Sequence, residues 1–168
     1  MEHELCGACD FDGARYDGAD LLVALRALGP QWRTLLDSAG VNLRVRPAPE
    51  TWSAIEYAAH SRDITALHAF GVEQALTTDE PAYPAISNAL ADEVATRYNT
   101  EDPDAVVAAL DAEACKLASL AGDAGEDAWS RGLTIGTERS TVRRLLEHAL
   151  HDSTHHLCDV EIGLARLS

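Results

Sequence analysis

The residues most able to do chemistry lie near the carboxyl end of the chain, between His148 and Asp159. This stretch contains four histidines and two aspartates within twelve positions. Imidazole and carboxylate groups bind zinc and other first-row divalent metals, so their clustering indicates a metal site. A single histidine on a helix is more often a surface or hydrogen-bonded core residue, but the cluster outweighs that interpretation. The six residues are His148, His151, Asp152, His155, His156 and Asp159.

Two pairs in this stretch have a spacing suited to one metal ion. Residues four apart are neighbours on one face of an α-helix, and the pairs are Asp152 with His156 and His151 with His155. At about 100° per residue, Asp152 and His156 fall on the side of the apolar stripe, whereas His151 and His155 point away from it. The pattern predicts a site that faces the core and requires a different explanation for the outward pair.

The N-terminal segment, residues 1–18, is polar, contains Cys6-Gly-Ala-Cys9 and lacks helical periodicity. It is therefore expected to form an arm or knuckle that needs an external tie. The Cys-x-x-Cys spacing is that of half a zinc site, which His151 and His155 would complete as a second, structural site. Reduced cysteines without a metal and a disulfide are the two alternatives.

The remainder of the chain is expected to be helical. Ser53 and Glu56 form a capping box, and Asp102 followed by Pro103 is typical of a helix start. The first helix is expected to kink near residues 29–30, where glycine precedes proline. The segment 123–139 is expected to be a loop. The predicted helices cover 20–38, 53–76, 87–98, 102–122 and 140–167.

These elements predict an all-α protein: a four-helix bundle with long connections and a short extra helix. The 168 residues suffice for one domain with a core, so we expect the arm at 1–18 and a bundle domain at 19–168. The abundance of alanine and leucine favours helices over sheets.

The charge of the chain excludes several partners. A formal net charge of −15 leaves no basic face for a nucleic-acid backbone or an anionic membrane. No segment resembles a signal peptide or a membrane span, so a cytoplasmic location is expected.

The string from Trp52 to His60, WSAIEYAAH, resembles the second-helix motif of the DinB/YfiT-like family. In that motif a tryptophan is followed eight residues later by a metal-binding histidine. The family's last helix carries a histidine or an acid, a histidine four positions on, and a further polar residue three positions after that. Asp152, His156 and Asp159 match this pattern, so the resemblance implies an open metal site made of His60, Asp152 and His156.

One alternative register stays open. Many members of the family have histidine at the position of Asp152, and a shift of one residue would replace Asp152 and His156 by His151 and His155. The thiol-dependent isomerases of the family use an acidic residue there, which is consistent with Asp152.

The resemblance also implies a function. The family includes S-transferases that use mycothiol or bacillithiol and mycothiol-dependent maleylpyruvate isomerases. It therefore implies a protein that binds a divalent metal, zinc or nickel, and acts as a thiol S-transferase or isomerase on an electrophilic substrate. A non-catalytic metal-binding or stress-response protein is the alternative, and a pH-sensitive interaction module is a third. Since related bundles often dimerise, a homodimer is expected.

Overall fold

The computed structural model of the protein describes residues 3–85 and 87–168. Over these residues the chain forms six α-helices and five short β-strands. The helices are α1 (Gly18–Arg26), α2 (Leu28–Ala39), α3 (Ala54–Thr77), α4 (Asn88–Tyr98), α5 (Pro103–Ala124) and α6 (Val142–Leu167). The strands are β1 (Leu5–Cys6), β2 (Phe11–Asp12), β3 (Ala82–Tyr83), β4 (Gly132–Ile135) and β5 (Glu138–Thr141).

The long helices form a four-helix bundle. Helix α3 lies against both α5 and α6, and α1 and α2 together occupy the remaining position, in contact with α5 and α6. The short helix α4 packs on α3. The core lies between the long helices and includes the fully buried side chains of Leu25, Trp32, Ile55, Leu110 and Leu146. The predicted bundle, with its long connections and short extra helix, is confirmed.

Two predicted helix starts are confirmed by their hydrogen bonds. The Ser53 backbone N–H donates to Glu56 Oε2 at 2.8 Å, which is the reciprocal bond of a capping box, and the Ser53 hydroxyl donates to the same oxygen at 2.8 Å. At the start of α5, Asp102 Oδ1 accepts a hydrogen bond of 2.8 Å from the Ala105 backbone N–H. These caps determine where α3 and α5 begin.

The first helix differs from the prediction of one kinked helix. It is interrupted at Ala27, and α2 starts at Leu28. Pro30 therefore lies in the first turn of α2, where backbone N–H groups have no partner within the helix and a missing one costs nothing. The proline begins a new helix rather than bending an existing one.

The predicted loop at 123–139 is also wrong, because this segment carries strands. Strand β4 pairs antiparallel with β5 and parallel with β3, and the turn between β4 and β5 contains Gly136 with a positive φ of 62°. The buried Leu133 and Trp129 attach the segment to the bundle. Since Ser140 belongs to β5, α6 begins at Val142, two residues later than predicted.

The N-terminal arm, residues 3–17 of the structure, contains an antiparallel β1–β2 pair. The turn between these strands carries Cys9 and Asp10, which has a positive φ of 58°. Phe11 is buried against the bundle core. Residues 1 and 2 of the predicted arm lie outside the described part of the chain.

A buried carboxylate fixes this arm to α6. Glu147 is fully buried and accepts hydrogen bonds from the Glu4 backbone N–H at 2.8 Å and from His3 Nδ1 at 2.7 Å. Arg143 Nε donates to the same carboxylate at 2.5 Å, and its Nη2 reaches the Gly13 carbonyl oxygen at 3.0 Å. Burial alone would raise the pKa of Glu147, but these hydrogen bonds outweigh it and lower the pKa.

None of the helices within residues 3–85 and 87–168 combines the length and the apolar character needed to cross a bilayer.

Candidate metal centre

Helices α3 and α6 each place two histidines along the groove between them. His60 lies beside His156, with ring centroids 5.2 Å apart, and His68 lies beside His148 at 5.2 Å. Residue numbers rise along α3 as they fall along α6, so the two helices run in opposite directions. Two separate histidine pairs, each with one member from α3 and one from α6, therefore form across this interface.

At one end of the groove, three predicted ligands come together. His60 Nε2 and His156 Nε2 each lie 3.6 Å from Asp152 Oδ1, and one ligand atom from each residue lies within 4.8 Å of the others. Ligand atoms about 2.1 Å from a tetrahedral ion are about 3.4 Å apart. The spacing therefore fits one metal ion with little movement. The side chains are 16–24% exposed, so the site is accessible from solvent.

The imidazole of His156 is oriented for metal binding. Its Nδ1 lies 2.8 Å from Asp159 Oδ2. Because an ionised carboxylate only accepts hydrogen bonds, Nδ1 carries the proton and Nε2 keeps its lone pair for a metal. Asp159 thus acts as the orienting residue of this centre.

Asp152 has a buried carboxylate oxygen that is free to bind a metal ion. Its Oδ2 atom is buried and has no hydrogen-bond partner in the described part of the chain. Burial would raise the pKa of Asp152, but the nearby imidazoles of His60 and His156 outweigh it and lower the pKa. An ionised carboxylate with an unpaired buried oxygen is unfavourable unless a cation is bound.

Two aromatic side chains form one wall of this centre. The Trp52 ring lies 5.2 Å from His60, and the Tyr57 ring lies 4.8 Å from His156. The two rings contact each other at 5.5 Å. The tryptophan of the motif therefore packs directly on the candidate ligand, and it excludes water from that side of the imidazole.

The second predicted set of ligands is also brought together. Two cysteines of the arm and two histidines of α6 offer ligand atoms within 4.8 Å of one another. Cys6 Sγ lies 3.8 Å from His155 Nδ1, and both thiols are free. The four residues are Cys6, Cys9, His151 and His155.

The N-terminal arm covers the face of α6 that carries His151 and His155, although that face points away from the bundle core. The His151 side chain is 14% exposed, which is less than the 19% of His156. The Phe11 ring stacks on His151 at 5.0 Å, and Glu4 Oε1 lies 3.0 Å from its Nδ1. The arm buries the side of the helix that the bundle leaves open.

The two arm thiols differ in acidity. Hydrogen bonding from the backbone of Cys9 and Ala8 lowers the pKa of Cys6 to about 6. Burial raises the pKa of Cys9, as does the neighbouring Cys6. The arm thus holds one thiol that ionises more readily than its neighbour.

A third cluster of ionisable groups, Glu4 with His148 and His151, is better explained as an ion-pair network. Arg144 Nη2 lies 2.7 Å from Glu4 Oε2, and a guanidinium at that distance repels a metal cation. Glu4 instead orients His151. Sequence reasoning missed Glu4, because no pattern links two residues 147 positions apart.

The opposite end of the groove opens into a cavity of about 1020 Å³. Its lining begins at Ile64 and His148, each one helical turn from a candidate ligand of the metal centre. Within it, burial lowers the pKa of His68 to about 4, so this imidazole is neutral at physiological pH. The apolar part of the lining includes Leu67, Phe70, Leu133, Ile135 and Leu145.

The architecture and these ligand sets define a helical-bundle protein with a candidate metal centre. Residues 41–159 match the family model of the DinB superfamily. Since this match covers more than half of the chain, the protein belongs to the DinB superfamily, as its motifs indicated. No curated protein matches the sequence.

Two solved structures have the same fold. YfiT from Bacillus subtilis, described as a probable metal-dependent hydrolase with an unusual four-helix bundle topology, is 18% identical, with a TM-score of 0.76 over 89% of this chain and 87% of that one. A mycothiol-dependent maleylpyruvate isomerase is 17% identical, with a TM-score of 0.66 over 88% of this chain. This chain spans only 62% of the isomerase. Identities at this level show a shared fold.

Proposed function

We propose that the protein is a metal-dependent enzyme that uses a low-molecular-weight thiol for S-transfer or isomerisation. Its metal centre is formed by His60, Asp152 and His156 and takes zinc or nickel, because two imidazoles and a carboxylate suit borderline first-row ions. The observation that carries the proposal is the convergence of both Nε2 atoms on Asp152 Oδ1 at 3.6 Å, beside the unpaired Oδ2 atom.

The number and charge of the ligands favour a thiol at this centre. Three protein ligands leave a coordination position open, as in catalytic rather than structural sites. Asp152 contributes a single negative charge, so a site loaded with a divalent ion keeps one positive charge and attracts a thiolate. A divalent ion there lowers the pKa of a bound thiol and holds it as the thiolate.

The residues around the ligands have separate roles. Asp159 holds the proton on His156 Nδ1 and thereby keeps Nε2 directed at the centre. Trp52 and Tyr57 cover the two imidazoles from one side, so a thiol must approach from the side that remains open. These residues bind, orient and exclude water.

The cavity beside the centre is a suitable place for the electrophile. It begins one turn from His60 and Asp152, and its apolar lining favours a compound with a substantial apolar part. Two arginines at its rim, Arg139 and Arg144, already pair with Glu80 and Glu4. The resemblance in fold to a mycothiol-dependent isomerase supports a thiol as co-substrate.

The experiment is a thermal-shift screen of the zinc-loaded protein with mycothiol and bacillithiol. We expect the melting temperature of the wild type to rise with one of these thiols, because a ligand that binds only the folded state stabilises it. His60→Ala and His156→Ala should lose the shift, and each should lose the metal of this centre. His151→Ala, which removes an imidazole from the same helix but outside this centre, should keep the thiol-induced shift.

Three outcomes would contradict the proposal. Full metal content in His60→Ala would make His60 a core residue. Metal binding without any thiol-induced shift would instead support the non-catalytic metal-binding protein. Hydrolysis of ester or amide substrates by the wild type without thiol, lost in His156→Ala, would favour a hydrolase with water at the open position.

A further inference from the structure

We propose that a second metal site, separate from the candidate catalytic centre, binds zinc and fastens the N-terminal arm to α6. Its four ligands come from two distant parts of the chain and complete a tetrahedral set, which makes the site structural rather than catalytic. They are Cys6, Cys9, His151 and His155. The proposal does not depend on the proposed function.

The spacing of the donor atoms fits such a site. Cys6 Sγ lies 3.8 Å from His155 Nδ1. A sulfur about 2.3 Å and a nitrogen about 2.05 Å from a tetrahedral zinc ion would be about 3.6 Å apart. All four donor atoms lie within 4.8 Å of one another, so a small adjustment brings the arm thiols to the distance that zinc requires.

The imidazole of His151 is set to bind a metal through one nitrogen. Its Nδ1 lies 3.0 Å from Glu4 Oε1 and therefore carries the proton. Its Nε2 is buried and has no hydrogen-bond partner among the described residues. A buried nitrogen with a free lone pair, opposite a carboxylate-bound N–H, is the arrangement of a metal-binding histidine.

The charge of the ligands also suits zinc. Both arm thiols are free and partly buried, and the thiolate is the form that binds zinc. Two thiolates neutralise a divalent ion, so the loaded site adds no net charge beneath the arm.

The arm has a structural need for this site. Its strands are only two residues long, and Leu5 is 71% exposed while Phe11 is buried. So short a hairpin buries too little apolar surface to be ordered by packing alone. Metal binding supplies the missing free energy in small elements of this kind.

The decisive experiment uses full-length His60→Ala, which removes a ligand from the other centre and leaves the arm intact. The protein is saturated with zinc, dialysed and analysed by mass spectrometry for metal per chain. We expect two zinc ions per chain in the wild type and one in His60→Ala. Replacement of that zinc by cobalt(II) should produce a sulfur-to-cobalt charge-transfer band in the near ultraviolet. No retained zinc, or a cobalt spectrum without this band, would overturn the proposal.

A second set of variants tests the role of the site in holding the arm. Cys6→Ser and His151→Ala should each lose one zinc ion and accelerate amide hydrogen exchange in residues 3–17. The centre made of His60, Asp152 and His156 should keep its metal in both variants. Cys115→Ser, which removes a half-buried thiol from α5, is the matched control and should change neither property. If Cys6→Ser does not fold, the His60→Ala measurement still decides.

Two results of these assays would refute the proposal that zinc fastens the arm to α6. One is a Cys6–Cys9 disulfide that forms in the zinc-saturated wild type without loss of metal. The other is unchanged hydrogen exchange of the arm after chelation of all the zinc. Either would mean that the arm is held by its packing and by the hydrogen bonds of Glu147, without zinc.

Discussion

The substitution Glu147→Gln tests how the arm is held without any assumption about metals. It keeps the size of the side chain and removes its charge. Glu147 Oε1 accepts from His3 and Arg143, while Oε2 accepts from the Glu4 backbone N–H. A glutamine offers a single acceptor oxygen, so its amide nitrogen must face at least one of these donors.

The expected loss of stability follows from these contacts. A lost hydrogen bond to a charged group in a buried setting costs about 1.5–3 kcal/mol. Arg143, whose side chain is 10% exposed, would also lose its counter-charge, and removing one member of a buried ion pair costs about 3–5 kcal/mol. Since the Gly13 and Tyr16 carbonyls still accept from Arg143, we expect about 3 kcal/mol in total. For a chain of this size that corresponds to about 6–12 °C in melting temperature.

The assay is urea denaturation followed by circular dichroism at pH 7. Glu161→Gln is the matched control, because it removes an exposed carboxylate from the same helix, and it should change the free energy of unfolding by less than about 0.5 kcal/mol. A loss below about 1 kcal/mol in Glu147→Gln would refute the reasoning, because that is the size of a single neutral hydrogen bond.

The same pair of proteins should respond differently to acid. Because the folded state lowers the pKa of Glu147 below its usual value of 4.5, its stabilising contribution is complete above that value and disappears as the pH falls through the folded pKa. The difference between the wild type and Glu147→Gln should therefore be constant near neutral pH and shrink below about pH 4.5. A difference that grows with acid would contradict this assignment.

Four further outcomes are expected. Asp159→Asn should weaken zinc binding at the His156 centre by about tenfold in a chelator competition; wild-type affinity would refute its orienting role. Trp32→Phe should cost about 2 kcal/mol in urea denaturation, because its Nε1 donates to Ser153 Oγ at 2.7 Å inside the core. Gly13→Ala should cost about 1–3 kcal/mol, since a Cβ there would lie 2.4 Å from the buried Glu147 carboxylate; an unchanged melting temperature would mean that the arm can shift. The homodimer predicted from sequence should appear in sedimentation velocity, and a monomer at high micromolar concentration would exclude it.

Local signals in the sequence were sufficient where neighbouring residues decide the structure. The capping box of Ser53 and Glu56 and the Asp102-Pro103 start act within a single helical turn, so their effect could be predicted. The assignment of Asp152 and His156 to one side of α6, and of His151 and His155 to another, follows from helical geometry alone.

The strands at 132–141 could not be predicted, because they depend on residues far away in the sequence. They are four residues long and carry no sustained alternation, and β4 acquires its partner β3 from a segment about fifty residues earlier. Such short strands are stabilised by pairing and by the burial of Leu133, not by intrinsic preference. Likewise, Pro30 is compatible with a kink or with a helix start, and only the packing of α1 and α2 decides between them.

By itself, the sequence determined the helical bundle, the family and the types of residue able to bind metals, because these depend on periodicity, caps and spacing within one segment. The resemblance and the Cys-x-x-Cys spacing grouped the candidate ligands, but only the tertiary structure brings their atoms together. It brings His60 to Asp152 and His156 across the α3–α6 interface, and it folds the arm so that Glu4, Cys6 and Cys9 cover the other side of α6. Contacts between residues more than 90 positions apart arise from the packing of whole elements. No local pattern encodes them.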